Sequence, residues 1–221
     1  MASIQWETLF LVKKNQTQLL LDRGYSVPDS DIVKMTSSDF KKKMSIPSPT
    51  ETVFSRITVV ATRTEPLDRI LVWYVANQDG EVTVDDLREF LTYIHDDATS
   101  QPQYRHCMII SNHKLGSRVS QQIQQLSKLH IEHFMYDELI MNPLNYFLTP
   151  KYTKLTSEDA TNLFTKHKIQ ANQMPLMFDS DKVARWYGWT HGDVVFVENY
   201  SLVESNKKEA TYRLVVRAPL K

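Results

Sequence analysis

The sequence predicts two domains, an α/β unit with a mixed sheet over residues 1–143 and a small α+β unit over residues 144–221. Three observations lead there. Between Ile57 and Ile140, short apolar strands alternate with helical patterns, the rhythm of a layered α/β domain. Beyond Leu144, new helix starts and a dense set of aromatics begin. The charge also changes sign. Residues 1–145 hold 15 Lys/Arg against 18 Asp/Glu, and residues 146–221 hold 11 against 8, so a net −3 precedes a net +3.

The elements of the first unit follow in order. Ile4, Leu9, Leu11, Val12, Leu19, Leu20 and Leu21 recur at helical spacing, and Asp22-Arg23-Gly24-Tyr25 supplies a glycine stop. Ser37, Ser38 or Asp39 can cap a short helix over Phe40 to Met44, closed by Pro47 and Pro49. Strands are expected from Ile57 and over Ile70–Val75, both rich in β-branched or aromatic residues. Asp79-Gly80 reads as a turn. Thr83 can cap a helix with Val84, Leu87, Phe90, Leu91 and Ile94 on one face. A third strand centres on Cys107-Met108-Ile109-Ile110. A polar helix spans Ser117 to Leu129, with Val119, Ile123 and Leu126 inward, and a fourth strand runs His130 to Tyr136.

In the second unit, Thr156 precedes Ser157-Glu158-Asp159, a strong helix start: the hydroxyl accepts orphan amides and the acids favour the positive helix end. Leu163 and Phe164 face inward. Pro175 fixes an extended connector. Asp179 or Ser180 can cap a short helix carrying Val183, Ala184, Trp186 and Tyr187, which Gly188 stops. Strands over Val194–Val197 and from Tyr212 are joined by the polar loop 204–209.

Composition narrows the function. Hydrophobic residues make up 42% and charged residues 24%. The single cysteine, Cys107, rules out an intrachain disulfide and suits a reducing compartment as a buried strand residue. No apolar run approaches the roughly 20 residues of a membrane span, and Glu7 interrupts any secretory signal. Four of the seven histidines, His106, His113, His130 and His133, lie close in sequence but without metal-ligand spacing. The acid pairs Asp85-Asp86 and Asp96-Asp97 carry no acid/base pattern, and Asp85-Asp86 suits a helix first turn. Among five glycines no phosphate-cradling loop occurs. No metal and no cofactor is expected. Lys114, Gly116, Ser117 and Arg118 stand together at a helix start that can meet a phosphate, although on sequence alone a solvated loop is the better reading.

The C-terminal order of motifs is specific. Met174-Pro175 ends a connector, Asp181-Lys182-Val183-Ala184-Arg185-Trp186-Tyr187-Gly188 follows, then Gly192-Asp193-Val194-Val195, then Tyr212-Arg213. This order resembles the assembly domain of the RNA polymerase subunit 5 family, the jaw subunit shared by eukaryotic nuclear polymerases. The family's archaeal counterpart is little more than this domain. The family has Leu-Pro, Asp-Pro-Val-Ala-Arg-Tyr-x-Gly, Gly-x-Val-Val and Tyr-Arg at these places. Departures are Lys182 for proline, His191 for a basic residue, and Glu198-Asn199-Tyr200-Ser201 after the strand. The opening helix with Arg23-Gly24-Tyr25 resembles the start of the family's jaw, and Lys114 to Arg118 occupy the region of its Thr-Pro-Ser-Ala loop near DNA.

The resemblance implies a restriction-nuclease-like jaw core without an active site, because Ile70–Val75 holds no acid or lysine to bind metal. It implies a non-catalytic polymerase subunit that docks on the largest subunit, beside other subunits, and flanks downstream duplex DNA in transcription. The expected place is the nucleus, or a virion or viral factory for a virus-encoded copy. The alternatives are a stand-alone nuclease-like DNA-binding protein and a free transcription adaptor.

Overall fold

The computed structural model describes residues 5–45, 51–76, 79–98, 104–146, 148–200 and 208–219. Ile4, Pro47, Pro49, Ser201 and residues 204–207, invoked above, lie outside them, as do the side chains of Asp96, Asp97, Tyr200 and Lys208. The chain divides into two units, Met1–Met141 and Asn142–Lys221.

The first unit opens with helix α1, Trp6–Asp22, which buries Leu9, Phe10, Val12, Leu19 and Leu20. Leu11 is outward and 38% exposed, since it lies about 200° around the helix from Leu9. The helix ends as the glycine stop predicts, with the Gly24 and Tyr25 amides returning to the Leu21 and Leu20 carbonyls. Helix α2, Ser37–Met44, is capped by Thr36 and not by Ser37, Ser38 or Asp39. Thr36 has extended backbone, and its hydroxyl accepts the Asp39 amide at 3.3 Å. Helix α3, Glu51–Ile57, stands where a strand was expected to begin. Val53, Phe54 and Ile57 are buried at helical spacing in a segment too short to show its period.

Strands β1, Val59–Thr64, and β2, Leu67–Tyr74, pair antiparallel. Helix α4, Val84–Ala98, leads to β3, His106–Ser111, and helix α5, Ser117–Gln125, leads to β4, His130–Met135. β2, β3 and β4 are parallel, so the sheet is mixed, in the order β1-β2-β3-β4. Ile70–Tyr74 and Cys107–Ile110 are buried throughout, as parallel strands covered on both faces should be. One face packs Leu71, Trp73, Cys107 and Ile109 on Leu87, Phe90 and Val119 of the two crossover helices. From the other face, Tyr74 donates to Gln16 of α1 at 3.2 Å. Helix α5 stops four residues before Leu129, and Tyr136 opens helix α6, Tyr136–Leu139, instead of ending β4.

The second unit is built on a sheet ordered β5-β7-β8-β6, with β5 Lys151–Lys154, β6 Leu176–Phe178, β7 Val194–Tyr200 and β8 Lys208–Val216. β7 pairs antiparallel with β5 and β8, and β6 runs parallel to β8. β5 and β6 were not foreseen as strands. Helix α7, Ser157–His167, is capped by Thr156, whose hydroxyl accepts the Asp159 amide at 3.1 Å and donates to the Asp159 carboxylate at 2.7 Å. Helix α8, Lys182–Tyr187, is capped by Asp181 and not by Asp179 or Ser180. Asp181 accepts the Val183 amide at 2.8 Å, while Asp179 accepts the Ala218 amide at 2.9 Å and so ties down the chain beyond β8.

Candidate interaction surfaces

Many of the C-terminal motif residues are core. Val183 and Ala184 pack with Met177, Trp189, Val195 and Val215. Met174 joins Leu163 and Val194, with Tyr212 against them. The Tyr212 ring lies 5.2 Å from that of Phe196. Trp186 is 2% exposed. Gly188 and Gly192 have φ +67° and +96°, the left-handed region that side chains resist. They frame a tied turn: the Trp189 amide bonds the Ala184 carbonyl, and Asp193 accepts the Thr190 amide at 2.8 Å and pairs with Lys154 at 2.7 Å.

The motif residues that face solvent are few. Pro175, Asp181, Lys182, Gly192 and Arg213 are exposed, and Arg185 is half-buried. Pro175 leads into β6, the last strand of its sheet. Met177 points inward there, and Leu176 and Phe178 stand 53% and 47% exposed. An edge strand with two large apolar side chains outward is a hazard for a free protein and a ready seat for a partner. The sequence reading missed this face. The alternation Leu176-Met177-Phe178 after a proline is its only signal, and three residues are too few to register as a strand.

At the far end of the first unit's sheet, Lys114, Ser117 and Arg118 are exposed and Gly116 is the residue before α5. The loop is fastened to Val82, whose amide bonds the Lys114 carbonyl and whose carbonyl accepts the Gly116 amide. A side chain at Gly116 would meet the Val82 carbonyl at 3.0 Å and the Glu81 carboxylate at 3.6 Å. The helix start thus has an acid as neighbour, and only two cations to offer a phosphate.

β2 begins earlier than expected, at Leu67, and therefore carries Asp68. That carboxylate accepts a short hydrogen bond from the Tyr25 hydroxyl, lies 2.6 Å from His106 Nδ1 and 3.3 Å from Arg63. Burial alone would raise its pKa, but the bonds from Tyr25 and His106 carry it below the usual value. Its neighbours are donors, not the acids and lysine of a metal-dependent nuclease. Among the described residues, no three His, Cys, Asp or Glu converge to hold a metal. Cys107 is buried, and burial pushes its thiol up to about 12, far from a reactive thiolate.

Two family models match the chain in order: RNA polymerase Rpb5, N-terminal domain, over residues 4–94, and RNA polymerase Rpb5, C-terminal domain, over residues 141–215. The chain is 26% identical to "DNA-directed RNA polymerases I, II, and III subunit RPABC1" of Caenorhabditis elegans, over 98% of this chain and 100% of the relative. It is 25% identical to the subunit rpabc1 of Dictyostelium discoideum, over 94% and 97%. It is 26% identical to "DNA-directed RNA polymerase V subunit 5A" of Arabidopsis thaliana, over 89% and 84%.

Proposed function

The chain belongs to the RNA polymerase Rpb5 family, and from that premise we propose that it is a non-catalytic subunit docked on the largest subunit of a multisubunit DNA-dependent RNA polymerase. It serves transcription as a structural subunit of a DNA-directed RNA polymerase. The observation that carries this is the run of both family domains along one chain, with relatives matched nearly end to end.

In this reading the second unit is the assembly domain, and β6 with Pro175, Leu176 and Phe178 docks on the largest subunit. The burial of Val183, Ala184, Trp186 and Met174 supports a scaffolding role for those motif residues: they shape the face without touching the partner. The first unit is the jaw, with a nuclease-like mixed sheet that has lost its chemistry. The donor-ringed Asp68 supports the absence of catalysis. Lys114 and Arg118 stand near downstream duplex DNA once the enzyme is assembled. The relatives' naming as subunits of RNA polymerases I, II and III in eukaryotes supports a nuclear location for this chain. The test is affinity purification of the tagged chain from its own cells. The two largest polymerase subunits should elute in equal amounts with it and survive a high-salt wash. Recovery of the chain alone would overturn the reading.

A further inference from the structure

The N-terminal ends of β2, β3 and β4 lie side by side, and an open cleft of about 1000 Å³ crosses them. It is at the opposite end of the sheet from Lys114 and Arg118, which follow the C-terminal end of β3. One carboxylate, Asp68, lines it, a second, Glu132, stands behind the lining His130, and both are already engaged. Asp68 is held by Tyr25, His106 and Arg63, as described above. Glu132 takes both prongs of the Arg23 guanidinium, at 3.1 and 2.8 Å, and lies 3.5 Å from His130 Nε2. Burial would raise the Glu132 carboxyl, yet Arg23 and His130 bring it down to about 2, so it stays ionised and committed to them. The two imidazoles meet edge to face at 5.4 Å.

What the cleft turns to solvent is therefore cationic. Arg69 lies 4.5 Å over the Tyr104 ring, which fixes its guanidinium plane. Arg105 and Lys128 are exposed, and among the described residues neither pairs with an acid. Beside them stand Leu67, 88% exposed, and the half-buried Leu129.

We propose that this cleft binds a short acidic peptide segment of a partner protein, with its carboxylates on Arg105 and Lys128 and an apolar side chain against Leu67 and Leu129. Exposed cations beside an apolar wall suit acidic motifs of this kind. A long polyanion fits less well. Residues 1–145 carry a net −3 that a nucleic acid strand would have to pass, while a short segment meets only the local cations. Charges more than about 8 Å away are largely screened at physiological salt.

Fluorescence anisotropy on the purified full chain tests this, with a labelled peptide of alternating Glu and Leu as the probe. Saturable binding is expected, weaker at high salt and absent for the same peptide with Gln in place of Glu. The double variant R105E/K128E should lose about tenfold or more in affinity. Both side chains are exposed, so its melting should match the parent, and R105A/K128A should show a smaller loss in the same direction. Equal binding of the Gln peptide, no change in either variant, or no saturable binding would each overturn the proposal. Competition by inorganic phosphate or by a thymidine oligonucleotide as effective as that by unlabelled peptide would also overturn it, and would mark a general anion site.

Discussion

At the residue scale, the least expected feature is Lys13. It shares the buried face of α1 with Leu9, Gln16 and Leu20, is 1% exposed, and donates to the Ile57 carbonyl at 2.8 Å and to Gln16 at 2.9 Å. Helical spacing put position 13 on the inner face, but residue type argues for solvent there, so the sequence could not announce it. Burial lowers the Lys13 pKa from 10.5 to about 7, against a smaller upward pull from Asp29. Between those values the unfolded chain binds a proton that the folded chain does not, so stability should rise as pH climbs from 7. Above pH 9 the raised Cys107 and Tyr74 act in the opposite sense, since each holds its proton only when folded. Between pH 7 and pH 9 the urea midpoint should therefore rise more in the parent than in Lys13→Met, where the raised His130, whose stabilising contribution fades as pH climbs past its unfolded value, acts near this window. Equal slopes in the two proteins would show that Lys13 does not titrate in this range. Gly188 tells the opposite story. Its place after Trp186-Tyr187 read as a helix stop, and it has the left-handed backbone such a stop needs. Gly192→Ala should cost about 1 kcal/mol through backbone strain alone, because no atom lies within 4 Å of where its Cβ would stand. Trp186→Ala should cost roughly 3–5 kcal/mol, read from the same urea curves, since the indole is fully buried.

At the scale of elements, what was legible is what carries its cause locally. β2 and β3 announce themselves by unbroken apolar runs, and α4 and α7 by a capping threonine with acids in the first turn. What was hidden depends on partners distant in sequence. Lys151-Tyr152-Thr153-Lys154 is a strand only because β7 supplies its hydrogen bonds, and Leu176–Phe178 only because β8 does. Helix α3 has seven residues, two turns, too few for a period. Asp68 was missed for a related reason: polar residues at the head of β2 hid its true start, and the cluster around it forms only when the sheet brings His106 alongside. The β6 face gives the sharpest test at this scale. Lysines at Leu176 and Phe178 should leave the fold intact, since edge strands accept charge and both residues are about half exposed. The double variant L176K/F178K should melt close to the parent and yet recover much less of the largest subunits on affinity purification. Unchanged recovery would remove β6 from the docking surface.

At the scale of the whole molecule, charge bears on DNA. The chain is formally neutral, and its first unit leans acidic. Duplex DNA is held at physiological salt by many phosphate contacts, each releasing counterions. The end of the sheet near α5 offers Lys114 and Arg118, with the Glu81 carboxylate close to the same helix start. Two cations beside an acid cannot retain a duplex unaided. They can bias one that a larger assembly already holds near, because tethering raises the effective concentration. Family membership was legible in the order of the C-terminal motifs. The isolated chain should therefore bind duplex DNA no more tightly than about 10⁻⁴ M at physiological salt, the weak end of non-specific binding. Gel-shift titrations with a random-sequence duplex measure this directly. In purified polymerase, Lys114→Ala with Arg118→Ala should weaken retention of downstream DNA by about tenfold or less, and the difference should shrink as salt screens it. Micromolar binding by the free chain, or magnesium-dependent cleavage of that duplex, would instead point to a protein that acts on DNA by itself, and the jaw reading would fall.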